Sequence, residues 1–147
     1  MFKTILIPTD GSDVARKAIK AGVALAKRLG ASVIAYTATE PVQHMYYAAE
    51  SGIHATLIRT LEERTSEQAR QYVAEIEKAA RAASVSCETV ITRPSTPDQG
   101  IIAAARKKKC DLIFMSSHGR GGFASLILGS VTHKVLAHSK IPVVVYR

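Results

Sequence analysis

The sequence predicts an α/β fold: a five-stranded parallel sheet, doubly wound, with helices on both faces. Three observations carry this. Short apolar, β-branched segments alternate with longer segments of helical period along the 147 residues. The strand segments are apolar nearly throughout, the pattern of strands covered on both sides. Cap and turn residues stand at the joins. The length suits one domain, residues 1–147, without linkers, repeats or low-complexity tracts.

Lys3 to Pro8 (KTILIP) is a buried strand by length and branching. Thr9-Asp10-Gly11-Ser12 breaks it, and Ser12 or Asp13 caps a helix. Ala15, Ile19, Gly22/Val23, Ala26 and Leu29 form its apolar face, and Gly30 ends it in αL geometry. Ser32 to Thr39 is the second strand, and Glu40 to Ile53, without a clear period, reads as a loop with a helical turn. From Ala55 to Ala83 runs a polar-rich helix with a narrow stripe of Leu57, Leu61, Ala69, Tyr72/Val73, Ile76 and Ala80. Glu62, Glu63, Arg64, Glu67 and Arg70 read as its solvated face.

Cys87 to Thr92 is the third strand. Thr96-Pro97-Asp98-Gln99 is a capping-box sequence with Pro in the first helical position. That helix runs to about Lys109 with Ile101, Ile102 and Ala105 inward, and Arg106-Lys107-Lys108-Lys109 complements the dipole at its end. Leu112 to Ser116 is the fourth strand, Ser130 to His138 the last helix, and Pro142 to Tyr146 the fifth strand.

Composition narrows the function. Hydrophobic residues make up 47% and charged residues 22%, as in ordinary globular proteins. The first residues, MFKTILIPTDG, do not read as a signal peptide, and no segment is apolar enough to span a bilayer. A cytoplasmic location is expected. Cys87 and Cys110 form no CxxC pair and read as reduced, buried thiols. The net charge is +8, and no acidic residue follows Asp111, so the C-terminal third offers positive potential to an anion. Aromatic residues are only 5%, with no stacking platform, which argues against nucleic acid. His44, His54, His133 and His138 lack metal-ligand spacing.

In an open parallel sheet, ligands bind beyond the carboxyl ends of strands at the switch in strand order. Pro8-Thr9-Asp10-Gly11 and Ser116-Ser117-His118-Gly119 stand at such ends. Gly119, Gly121 and Gly122 permit close backbone approach and positive φ. Gly129-Ser130 precedes a helix whose first N–H groups face an anion, with hydroxyls from Ser130 and Thr132 and charge from Arg120. Plain turn glycines with Ser130 as an N-cap are the alternative. No GxxxxGK[ST] occurs. The GxGxxA match from Gly119 to Ala124 lacks a following acid, so a dinucleotide site is not expected.

These residues resemble those of the universal stress protein family. Its nucleotide-binding members share G-x2-G-x9-G-[ST], which here reads Ser116-x2-Gly119-x9-Gly129-Ser130, with Ser116 in the first glycine's place. ILIPTDGS, DLIFMSSHGRGG and LGSVTHKVLAHSKIPVVVYR extend the resemblance along the chain. It implies the adenine-nucleotide α-hydrolase-like fold. It also implies that Pro8, Thr9 and Asp10 contact the nucleoside, Thr37 lies by the adenine and Met115 lines the pocket. Ser116 would stand by the phosphates, which His118, Gly119, Arg120, Gly129, Ser130, Val131 and Thr132 would hold together with the ribose. Asp10 would take a ribose hydroxyl or a phosphate-bound Mg²⁺, or serve as a turn residue bonding its own backbone.

The implied function is an ATP-binding stress-response or signalling module. ATP, ADP or AMP would come with Mg²⁺ or Mn²⁺, and hydrolysis would be slow at most, since no base beyond Asp10 and no arginine pair is evident. An ATPase-type enzyme is one alternative. A nucleotide-free dimeric interaction protein, its site lost at Ser116, is the other. The apolar strand 142–146 needs a cover if it is an edge; the resemblance implies a homodimer paired through it, and a further protein partner is unidentified.

Overall fold

A computed structural model describes residues 1–40, 55–120 and 128–147. Along them run β1 (Thr4–Pro8), α1 (Asp13–Leu29), β2 (Ser32–Ala38), α2 (Ala55–Ala82), β3 (Cys87–Thr92), α3 (Pro97–Lys107), β4 (Leu112–Ser116), α4 (Ser130–His138) and β5 (Val143–Tyr146). The strands pair in parallel in the order β3-β2-β1-β4-β5. The order therefore reverses between β1 and β4, and the loops leaving those strands part there.

Side-chain alternation builds two cores from the three inner strands. Ile5, Ile7, Val33, Ala35, Leu112 and Phe114 pack beneath α1 and α2, with Ile19, Val23, Val73 and Ile76. Leu6, Ile34, Tyr36, Ile113 and Met115 point to the other face and meet Ile101, Ile102 and Ala105 of α3 and Val135 of α4. This is the doubly wound arrangement that the apolar strands predict. The edge strands differ from these: β3 and β5 carry only partly buried and exposed residues.

The local signals for element ends met mixed outcomes. The Ser12 hydroxyl accepts from Ala15 N at 3.2 Å and caps α1, and Gly30 ends it in αL geometry with φ 66°. Thr96 has the extended backbone of an N-cap before Pro97, but its hydroxyl makes no cap bond. That oxygen is turned into the interior and is buried without a partner. The expected capping box is therefore not formed. α3 stops at Lys107, short of Lys109, because Lys109 takes φ 54° and Cys110 N closes the turn on Ala105 O at 2.8 Å. Ser84 ends α2 in the same way with φ 58°, although no glycine marks the place. β5 starts one residue after Pro142, which lacks an N–H but accepts from Ile113 N at 2.9 Å.

Cys110 is buried, whereas Cys87 on the edge strand is only half-buried, which corrects the expectation for that thiol. Burial, then the neighbouring Asp111 carboxylate, pushes the Cys110 thiol up to about 11. Burial also raises Cys87. Both thiols stay protonated near neutral pH, so neither is a ready nucleophile. No helix among the described residues is long and apolar enough to cross a membrane.

Ile113 is fully buried at the centre of the second core. Ile113→Ala is expected to destabilise the fold by about 3 kcal/mol through lost contact and a residual cavity. Urea unfolding followed by circular dichroism measures this.

Candidate functional site

The site is built from two turns. In the first, which follows β1, the Thr9 hydroxyl accepts from Gly11 N at 3.1 Å. Asp10 Oδ1 accepts from Ser12 N at 3.0 Å, so Asp10 does act on its own turn. Thr9 is held from β2: its N–H donates to Tyr36 O at 2.9 Å, and its carbonyl accepts from the buried Thr37 hydroxyl at 2.7 Å. Gly11 has φ 75°, and a Cβ there would overlap the Tyr72 ring of α2.

The second turn follows β4. The Ser116 hydroxyl donates to His118 O at 2.9 Å, and Ser116 O accepts from the Thr132 hydroxyl at 3.0 Å. Gly129 N donates to Ser117 O at 2.7 Å, which brings the start of α4 back to the strand end. Ser117 Oγ and His118 Nδ1 share a hydrogen bond of 2.9 Å. The N-cap of α4 is Gly129 and not Ser130, so the Ser130 hydroxyl is not used as a cap.

Asp10 joins the turns. Its Oδ2 accepts from Arg120 N at 2.8 Å across a separation of 110 residues. A Cβ on Gly119 would overlap that same oxygen. The glycine is thus required for close approach; its φ is not positive, contrary to the sequence expectation. Gly121 and Gly122 lie outside the described residues, as do His44, His54 and the loop expected after Glu40.

Between the turns lies a cavity of about 720 Å³. All the site residues expected from the sequence line it: Pro8, Thr9 and Asp10 at the end of β1 and its turn, Thr37 from β2, and Met115, Ser116, His118, Gly119, Arg120, Gly129, Ser130, Val131 and Thr132 around β4 and α4. Thr37, Thr132 and Ser116 use their hydroxyl hydrogens internally, so they position backbone. Backbone donors remain in the first turn of α4, beside the side chains of Arg93 and Arg120. The N–H groups of Ser130, Val131 and Thr132 precede the first helical bond, from His133 N to Gly129 O, and have no partner among the described residues.

The fold adds residues that sequence reasoning missed. Glu62, Thr65, Gln68, Ala69 and Tyr72 of α2 line the cavity, so Glu62 is not simply part of a solvated face. The reason is length. At about 1.5 Å per residue the 28 residues of α2 extend about 42 Å, roughly twice a six-residue strand, so its first half overhangs the sheet. Their spacing of three or four residues beside the buried stripe was the available signal. Tyr36, Thr39, Glu40, Pro97 and Ile101 also contribute, with Tyr36 bonded to the Thr92 hydroxyl at 2.7 Å and its phenol pushed up by burial. Arg93, before α3, reaches the same cavity as Arg120, a pairing not evident in the linear sequence.

A resident metal centre has no support in this donor set. No group of three or more His, Cys, Asp or Glu side chains converges among the described residues. Asp10, Glu40 and Glu62 do line the cavity. One or two such carboxylates suit a cation that arrives on a phosphate chain.

Comparison with known proteins places the chain. The model of the universal stress protein family matches residues 1–147. A universal stress protein encoded beside a sulfhydrylase gene in Thermus aquaticus is 36% identical over 147 residues, covering all of both chains. The universal stress protein MJ0531 of Methanocaldococcus jannaschii is 31% identical, covering all of this chain and 83% of that one. Among solved structures, protein MJ0577 from the same organism superposes with a TM-score of 0.81 at 28% identity, covering 99% of this chain and 95% of that one. A universal stress protein in complex with cAMP shares the fold, at TM-score 0.68 and 24% identity over 99% of this chain and 97% of that one. With a family match over the full length, this chain belongs to the universal stress protein family.

Proposed function

We propose that the cavity binds an adenine nucleotide, ATP in the first instance, with ADP or AMP as shorter occupants. The protein then acts as a nucleotide-dependent stress-response or signalling module, placed in the cytoplasm, with slow hydrolysis at most. The observation that carries this is the juxtaposition of N–H groups at the start of α4, without partners among the described residues, with the Asp10–Arg120 joint at the switch point of a parallel sheet. The volume lies in the range of about 300–1,000 Å³ usual for small-molecule sites. Pro8, Ile101, Met115 and Val131 offer apolar wall for a base, and the first turn of α4 offers donors for phosphate. A protein of the same fold is known in complex with cAMP, so the fold tolerates an adenine nucleotide.

Mg²⁺ or Mn²⁺ fits as a companion of the phosphates. Both Asp10 oxygens already accept one N–H each. Each keeps a further lone pair, enough for a metal-bound water. The cation would offset phosphate charge, while Asp10, with Glu40 or Glu62, orients its waters.

One observation favours an enzymatic reading: Arg93 and Arg120 both border the cavity. The hydrolysis rate separates the two. We expect turnover of ATP·Mg well below about 1 s⁻¹, near the low end of common enzymes. A faster rate in a phosphate-release assay makes the protein an ATPase.

Calorimetric titration tests binding directly. ATP·Mg is expected to give saturable heat below millimolar concentration, and denatured preparations to release adenine nucleotide detectable by mass spectrometry. Gly119→Ala, which forces Asp10 off Arg120 N, is expected to weaken ATP by about tenfold or more, the worth of one charge-assisted hydrogen bond. No heat and no thermal shift up to millimolar ATP would favour the nucleotide-free interaction protein.

The oligomeric state is part of the proposal. β5 is an edge strand with Val144 and Tyr146 exposed at 38% and 37%. Such an edge calls for a cover, and a second copy of β5 supplies one. Light scattering after size exclusion is expected to give a homodimer, and Val144→Glu to shift it to monomer.

A further inference from the structure

We propose that Tyr72 is a positioning residue that makes the site prefer nucleoside polyphosphates over monophosphates. It does so by holding the Arg120 guanidinium on the α2 wall of the cavity. The inference rests on the nucleotide reading above and deepens it.

Arg120 is fixed at both ends. Its backbone N–H is bonded to Asp10 Oδ2. Its Cζ stands 4.9 Å from the centroid of the Tyr72 ring, within cation–π range. The ring is itself located by Gly11, whose missing side chain leaves it room. Both side chains border the cavity. No carboxylate pairs with Arg120 among the described residues.

The kind of contact matters. A salt bridge would engage the N–H groups of Arg120 and offset its charge. Stacking on a ring face leaves all of those donors, and the charge, available to an incoming anion. Stacking also removes rotamer freedom that a free arginine would lose on binding. The position matters as well. α2 and α4 lie over opposite faces of the sheet. A single phosphate seated at the first turn of α4 is served by that helix alone. A longer phosphate chain crosses past Asp10 towards the α2 wall and meets Arg120 there.

Calorimetric titration with ATP·Mg and with AMP tests this on the native chain, Tyr72→Phe, Tyr72→Leu, Arg120→Ala and the double variant Tyr72→Leu/Arg120→Ala. Tyr72→Leu is expected to weaken ATP about fivefold and leave AMP unchanged. Tyr72→Phe keeps the ring face and holds the native ATP-to-AMP ratio. The double variant is expected to bind ATP no more weakly than Arg120→Ala alone, since both changes remove one interaction. An equal loss for ATP and AMP in Tyr72→Leu overturns the proposal, because that is the mark of a general structural defect. Tighter ATP binding in Tyr72→Leu, or additive losses in the double variant, overturns it too. Failure of the native chain to bind either nucleotide overturns the underlying nucleotide reading and this inference with it. Binding of both with an unaltered ratio overturns this inference alone.

Discussion

Asp10 holds the site together. Its carboxylate is short, and both oxygens accept backbone N–H groups, one from its own turn and one from Arg120. Hydrogen bonds to an ionised acceptor are stronger than neutral ones, and two of them fix the carboxylate plane. The consequence reaches both sides of the switch point. The turn after β1 cannot part from the turn after β4 without breaking a charged contact. Gly119 is needed because the joint is so close, and Gly11 because the turn that presents Asp10 also packs on Tyr72. Asp10, its neighbour Gly11 and the distant Gly119 thus form one unit.

The same joint divides labour among the polar groups. Thr37, Ser116 and Thr132 all have hydroxyls at the cavity, and all three donate to backbone carbonyls. Buried hydroxyls without partners are costly, so each is satisfied within the frame. Their effect on a ligand is indirect: they set the backbone whose N–H groups remain. Recognition by N–H groups at a helix start favours negative charge and does not depend on side-chain rotamers. In the proposed reading, charged side chains would act at the margins, from Arg120 and Arg93, which both line the cavity.

Much of this was legible in the sequence, for identifiable reasons. β1, β2 and β4 are apolar nearly throughout because both their faces are covered, and that pattern survives in one dimension. The site residues at the ends of β1 and β4 stand out because strand ends, glycines and a helix start coincide there. The α2 wall was only faintly legible, in the spacing of three or four residues beside the buried stripe. Glu62, Thr65 and Gln68 look like any polar helix face, and only the overhang beyond the sheet turns that face towards a cavity. Arg93 depends on the crossover of β3 to α3, which brings together residues that no local pattern relates. Thr96 shows the opposite failure. Its sequence carries a full capping signal, yet the hydroxyl turns inward, because a cap motif states what the backbone can accept and not which rotamer the packing selects.

Ser116 sharpens what the departure from the family motif means. A glycine is irreplaceable where φ is positive or where a Cβ has no room. Ser116 has neither burden from its backbone: it is the last residue of β4, paired with Tyr146, and is not among the positive-φ residues. Its hydroxyl finds a partner inside the turn, at His118 O, two residues on. The side chain therefore braces the loop that Gly119 and Arg120 continue, and its carbonyl still receives Thr132 from α4. The substitution links β4, the loop and α4 through one residue. A serine that tightens this frame is compatible with recognition by backbone N–H groups, because those groups lie on α4 and not on the strand end where the glycine is missing.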